Sequence, residues 1–293
     1  MKEPPVAIEG LNIIGETIND SVPSTNKLFE ANDIDGLLEI ARMQEERGAT
    51  YIDVNVGSRS PEFMADLVRR IQQVTTRPLS IDTPDPALAR AGLDAYDADR
   101  AGGAKPVVNS ISALRPEMFD LLSVQRFKPI LLASEQVVEG RKQPCHTAEE
   151  TVAAAKFLLH KFRDEFDGVN DDAIIDPGIA PIGTDSEGNF HRLMAAMKLM
   201  HDDSDFDGCH YSVGLSNFTV MLPSKRPDGM AVKSALESAF LTKAMPLGLD
   251  MVIGSVKRKY ERLPEDHPAV KCLDEVLAAD GFEVLMKVRE FYA

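Results

Sequence analysis

The chain has 293 residues, 44% apolar and 27% charged, with 32 basic against 47 acidic residues and a net charge of −15. That is the size of one large α/β domain with a substantial core; a nucleic-acid partner, which needs a basic footprint, is not expected, and no uninterrupted apolar run approaches the ~18 residues of a membrane span. The three cysteines, Cys145, Cys209 and Cys272, are odd in number and widely spaced, which argues against a disulfide framework and fits a reducing cytoplasm.

In chain order, Met1-Lys2-Glu3-Pro4-Pro5 lacks the apolar h-region of a signal peptide. Short β-rich apolar runs then predict eight strands, at Leu11–Gly15, Tyr51–Val56, Pro78–Asp82, Pro106–Ser110, Pro129–Ser134, Ala173–Asp176, His210–Leu215 and Asp250–Ser255. Amphipathic segments lie between them. Ile34, Leu37, Leu38 and Ala41 recur at i, i+3, i+4, i+7, and so do Ala155, Leu158, Leu159 and Phe162. Pro84 and Pro116 stand where helices are expected to begin. Strands alternating with helices imply parallel pairing, and eight repeats point to a closed (β/α)₈ TIM barrel. One domain is expected over 1–293, with the barrel over about 11–262 and an extension over about 263–293. Pro268–Ala293 predicts one or two extra helices whose shared apolar face, Ala269, Cys272, Leu273 and Val276, packs on the barrel exterior or on a second subunit. Phe166-Asp167-Gly168 and Phe206-Asp207-Gly208 each precede a strand and read as turns.

Polar residues at the C-terminal ends of barrel strands read as functional. Strand 1 ends in Gly15-Glu16-Thr17-Ile18-Asn19, strand 2 carries Asp53 and Asn55, and strand 3 ends at Asp82. Strand 4 ends at Asn109-Ser110, strand 6 at Asp176-Pro177, and strand 7 runs into Gly214-Leu215-Ser216-Asn217. Buried amides and carboxylates are costly unless paired, so so many in one place call for a polar ligand. Asp82, Asn109 and Asp176 offer carboxylate acceptors and a two-faced amide. That suits a heterocycle with several N–H donors and a carbonyl, of which a pterin is one.

The segments Leu11–Asn19, Asp53-Val54-Asn55-Val56-Gly57, Ser80-Ile81-Asp82-Thr83, Val108-Asn109-Ser110, Ile175-Asp176-Pro177 and Gly214-Leu215-Ser216-Asn217 together resemble the methyltetrahydrofolate:corrinoid (iron-sulfur) protein methyltransferases of acetogenic and demethylating anaerobes. The pterin-binding barrel of cobalamin-dependent methionine synthase is similar. The resemblance runs from about Leu11 to Ser255 and implies a dihydropteroate-synthase-like barrel and a homodimer. It implies methyl transfer between N5 of tetrahydrofolate and the cobalt of a corrinoid protein, in carbon fixation or in O- or N-demethylation. It implies a pterin held by Asp82, Asn109 and Asp176, with Glu16, Asn19, Asn55 and Ser216 around it and Asn217 at N5. Arg226, or its neighbour Lys225, is the expected match to a further arginine; Phe218–Lys225 departs from the family pattern. No Asp-x-His-x-x-Gly segment that could ligate cobalt is present, so the corrinoid is expected on another polypeptide.

Other signals fail. Cys145-His146 and Cys209-His210 are adjacent pairs, which a strand points to opposite faces, and no resident metal is expected. Asp203-x-Asp205-x-Asp207-Gly208 begins like a calcium loop, but its twelfth position is Gly214 and not Glu, so a solvated acidic turn is expected. The rival readings are a dihydropteroate synthase and a non-catalytic pterin-binding subunit. The former usually has a glycine-rich Asp-x-Gly-Gly-Glu-Ser on strand 2 and Arg-x-His near strand 8; here strand 2 reads Asp53-Val54-Asn55-Val56-Gly57-Ser58, and Met251–Val256 holds neither Arg nor His.

Overall fold

The computed structural model describes residues 8–293; the Met1–Pro5 segment lies outside them. Its elements are β1 (Asn12–Asn19), α1 (Pro23–Glu30), α2 (Ile34–Glu46), β2 (Tyr51–Asn55), α3 (Pro61–Ile71), β3 (Leu79–Asp82), α4 (Pro86–Ala95), β4 (Val107–Ser112) and β5 (Lys128–Leu132). There follow β6 (Glu135–Val138), β7 (Arg141–Pro144), α5 (Ala148–Phe166), β8 (Ile174–Asp176), α6 (Asn189–His201), β9 (His210–Tyr211), α7 (Leu215–Phe218), α8 (Val232–Ala244), β10 (Met251–Gly254), α9 (Pro268–Leu277) and α10 (Phe282–Tyr292). Eight strands pair in parallel in the order β10-β1-β2-β3-β4-β5-β8-β9. The two ends of this sheet meet through single bridges, Tyr211 to Leu249 and Gly214 to Ile253, with Ile253 N–H donating to the Val213 carbonyl at 3.0 Å. The sheet is thus a barrel with a thin seam between β9 and β10.

Local chemistry sets the helix starts. Asp33 caps α2 by accepting from Gly36 N–H, and Thr147 and Glu150 form a reciprocal capping box at α5. The two predicted stripes face inward: Leu37 and Ala41 of α2 are buried, as are Ala155, Leu158, Leu159 and Phe162 of α5. Pro84 does not begin a helix. α4 starts at Pro86, because Asp85 accepts from Ala87 N–H at 2.7 Å and takes the cap; Pro116 opens a 3-10 turn, Pro116–Ser123.

Three further points correct the sequence reading. β9 ends at Tyr211, well short of Leu215, because the chain past Gly214 turns into α7. An antiparallel hairpin, β6–β7, rises after β5. The Asp203–Asp207 turn, expected to be solvated, is ion-paired to α5: Lys156 holds Asp203 at 2.6 Å and Asp205 at 3.4 Å, with His160 and Arg163 also on Asp205. At the C-terminus, Ala269, Cys272, Leu273 and Val276 are buried in the main core, with α9 packed between α8 and α10. The chain covers this face itself.

The two-residue period of a strand decides what fills the barrel. Ile14, Val107, Ile130, Ile174 and Met251, from five strands, form one apolar layer across the interior, with Tyr51 and Ile253 packed against it. Two residues further along those strands, the same inward face carries Glu16, Asp53, Asn109 and Asp176. Between them, Ile52, Val54 and Ile81 point outward into the cluster under α2, α3 and α4. An apolar plug therefore carries a polar layer at the C-terminal mouth.

Candidate active site

β1 has a register shift between Gly15 and Ile18 against β2. Gln44, fully buried on α2, fills the irregularity by accepting from Thr17 N–H at 3.1 Å. Gly15 makes room for it: a Cβ there would stand 2.5 Å from the Gln44 Oε1. The shift leaves Glu16 facing the mouth, where its carboxylate accepts from the Ser216 hydroxyl of α7. Burial holds the Glu16 carboxyl above its usual range, against the Ser216 hydrogen bond and the charge of Arg258.

On β2, Asn55 Oδ1 accepts from Gly57 N–H at 2.9 Å, which fixes the amide so that Nδ2 donates to Asp82 Oδ2, also at 2.9 Å. Asp82 and Asn109 are register partners on β3 and β4. The Asn109 side chain makes no hydrogen bond among the described residues. Asn19, expected at the site, uses its side-chain oxygen on Ser21 N–H at 2.8 Å and shapes the turn beside Asn55.

Asp176 ends β8 and accepts from Gly178 N–H at 2.7 Å. The loop behind it is held by Arg192 of α6, whose guanidinium donates to the carbonyls of Pro177 and Gly178 at 2.7 and 3.0 Å. Burial raises the Asp176 carboxyl to about 6, against the Gly178 hydrogen bond and the Arg192 charge. The folded chain therefore binds this proton more tightly than the unfolded chain, so stability is lost as pH rises from about 4 through 6. The loss at Asp176 should reach about 3 kcal/mol. Urea unfolding at several pH values should show it in wild type and not in Asp176→Asn; parallel curves for the two would count against it.

Asn217 sits in α7 beyond the end of β9. Its side chain lies over Gly214, where a Cβ would meet Nδ2 at 2.8 Å. It is exposed and makes no side-chain hydrogen bond among the described residues. Asp82, Asn109, Asp176, Glu16, Asn55, Ser216 and Asn217 thus share one mouth. Arg226 stands apart: it pairs with Asp228 at 3.3 Å and lies over the Phe291 ring of α10, 5.1 Å from its centre. Its rival Lys225 is exposed.

Two site residues went unassigned in the sequence. Asp53, noted on strand 2, shares the inward face with Tyr51 and Asn55, and that parity was its signal. Arg258 lies three residues past Ser255, just beyond the last predicted strand. It binds Glu237 of α8 and donates to Thr219 at 3.3 Å, and its charge reaches Glu16.

A family model for pterin binding enzymes matches residues 15–254. The chain belongs to the pterin-binding enzyme family. The methylcorrinoid:tetrahydrofolate methyltransferase of Eubacterium limosum is 27% identical over 257 residues, covering 82% of this chain and 83% of that protein. Solved structures of dihydropteroate synthases share the fold. The Xanthomonas albilineans enzyme with 4-aminobenzoic acid has a TM-score of 0.56 at 20% identity, over 83% of this chain and 86% of that one. The Vibrio fischeri enzyme has a TM-score of 0.56 at 17% identity, over the same shares. The eight-stranded barrel expected from sequence is therefore that of a pterin-binding enzyme. No helix among the described residues is long and apolar enough to cross a membrane.

Proposed function

We propose that the chain is a cytoplasmic methyltransferase that moves a methyl group between N5 of tetrahydrofolate and the cobalt of a corrinoid on a partner protein. The observation that carries this reading is the pairing of two carboxylate acceptors, the part-buried Asp82 and the buried Asp176, with the unpartnered amide of Asn109 on one mouth. Such a set answers a ring edge that offers both N–H donors and a carbonyl. The activity of the Eubacterium limosum relative, a methylcorrinoid:tetrahydrofolate methyltransferase, supports both substrates and, for direction, transfer from the corrinoid to the folate. The homodimer rests on the family resemblance alone, since α8 and α10 cover the apolar face of α9.

Asn217 has the place and the chemistry to meet N5. Its carbonyl accepts from a protonated N5 and its amide donates to an unprotonated one, so it serves both sides of a transfer that changes the charge there. Ser216, held by Glu16, fixes the turn of α7 that presents it. Beyond it, Val220 and Met221 are exposed, Met221 by 82% and with a φ of +67°. These apolar side chains at the rim suit a partner lying against N5. Arg226 would reach the ligand only by leaving Asp228 and Phe291.

Calorimetry of metal-stripped protein with methyltetrahydrofolate tests the site. Binding is expected without metal or corrinoid, and Asp82→Ala or Asp176→Ala should each weaken it by about 1.5–3 kcal/mol, as for hydrogen bonds to charged groups. No heat at millimolar ligand would sink the assignment. Turnover with cob(I)alamin separates an enzyme from a subunit that only binds a pterin.

A further inference from the structure

Asp53 is the most enclosed charged side chain of the mouth. It is 0% exposed, and neither carboxylate oxygen has a hydrogen-bond donor. Its β3 register partner is Ser80, two residues before Asp82 on the same inward face, and the Ser80 hydroxyl makes no hydrogen bond either. Asp53 and Asp82 are thus interacting carboxyls on neighbouring strands, and neither is ion-paired to a cation among the described residues. The elements around them supply Glu16 from β1, Asn55 from β2, Asn109 from β4 and Tyr51 one layer below. The guanidiniums around the mouth are committed elsewhere: Arg258 to Glu237, Arg192 to the Pro177–Gly178 carbonyls and Arg59 to Asp20 and the Val56 carbonyl.

Two adjacent carboxylates in a dry interior cannot both ionise, and a proton between them turns an unpartnered contact into a hydrogen bond. The two sites are not equivalent. Asp82 already accepts from Asn55 and faces the open mouth, which favours its charged form. Asp53 is fully buried and has no donor among the described residues. We propose that Asp53 and Asp82 hold one proton between them, resident on Asp53, so that Asp53 is a neutral donor that positions a singly charged Asp82 toward the ligand. For the ligand, this rests on the pterin reading above. Asp53 touches no substrate and is a positioning residue. Burial first, then the Asp82 charge and Glu16, push the Asp53 carboxyl well above its ordinary range, and burial also raises Asp82.

Two readouts test the pair. The first needs no ligand: difference infrared spectra of wild type and Asp53→Asn at pH 7. The expected result is that the substitution removes one carboxylic-acid C=O band. Removal of a carboxylate band instead means that both groups are ionised, and overturns the proposal. The second is tetrahydrofolate affinity. Asp53→Asn keeps a donor behind Asp82 and should bind within about threefold of wild type, whereas Asp53→Leu, which fills the space without a donor, should lose about tenfold. Equal affinities for the two variants, with melting curves showing both folded, would reduce Asp53 to a space filler and overturn its positioning role. A wild-type chain that shows the acid band yet takes up no tetrahydrofolate would overturn the pterin reading and leave the shared proton established.

Discussion

Asn217→Ala is expected to slow single-turnover methyl transfer about 10²-fold, roughly 2.7 kcal/mol of transition-state stabilisation. Binding of tetrahydrofolate should weaken by only about 1 kcal/mol. The imbalance follows from where charge changes. N5 is nearly neutral in the bound amine and offers Asn217 little; its charge alters as the methyl moves, and only then does the amide interaction strengthen. Asp82→Ala should show the opposite balance, because the ring edge it meets changes little during transfer. The competing role for Asn217 is that it braces the turn after β9, a place where asparagine is common. The structure bears on this: the Asn217 backbone makes the turn bonds, its N–H donating to the Gly214 carbonyl at 2.9 Å, while the side chain makes none. A brace of that kind survives truncation to alanine. Rates with cob(I)alamin beside melting curves decide. An unchanged rate per folded molecule, with or without a lower melting point, would remove Asn217 from the chemistry.

The barrel was legible because strands and helices carry different periods and the strands keep theirs inside. Tyr51-Ile52-Asp53-Val54-Asn55 shows why the site was legible too: alternate residues must face the interior, and polar ones there have no cheap explanation. The β6–β7 hairpin escaped because its two-residue turn is Glu139-Gly140, with φ of +50° and +75°. Asn-Gly or Asp-Gly would have signalled it; glutamate at a positive φ is uncommon. Arg192 and Arg258 escaped for a different reason. Each acts on the mouth from outside the strands, through contacts 14 to 41 residues away in sequence, such as Arg192 with Gly178 and with Thr151. No local pattern marks such a partner. Arg226 shows the opposite failing of motif transfer: a residue type found downstream of Asn217 is, in space, engaged with α10.

Arg258 is expected to matter more for the fold than any other single charge at the mouth. Glu237 is 0% exposed in α8 and accepts from the Arg258 guanidinium and the Thr219 hydroxyl through one oxygen, the other having no partner. Arg258→Met keeps much of the side-chain bulk but leaves that carboxylate buried without its cation, a change that typically costs about 3–5 kcal/mol. For a chain of this size the melting point should fall by roughly 10 °C. Replacing the whole pair, Arg258→Met with Glu237→Leu, should recover most of the loss, since a buried pair exchanged for apolar side chains is often neutral. The single variant should also lose stability as pH rises, because an unpaired buried carboxyl titrates at a raised pKa and is stable only while protonated; the double variant should not. Function separates this from plain packing. Thr219 closes the C-terminus of α7, the turn that carries Ser216 and Asn217, and Arg258 also lies within reach of the Glu16 charge that holds Ser216. The double variant, although restored in stability, should therefore still transfer methyl more slowly than wild type, because the end of α7 at Thr219 is no longer tied to the segment that follows β10. A double variant with both stability and single-turnover rate restored would show that Arg258 only neutralises Glu237.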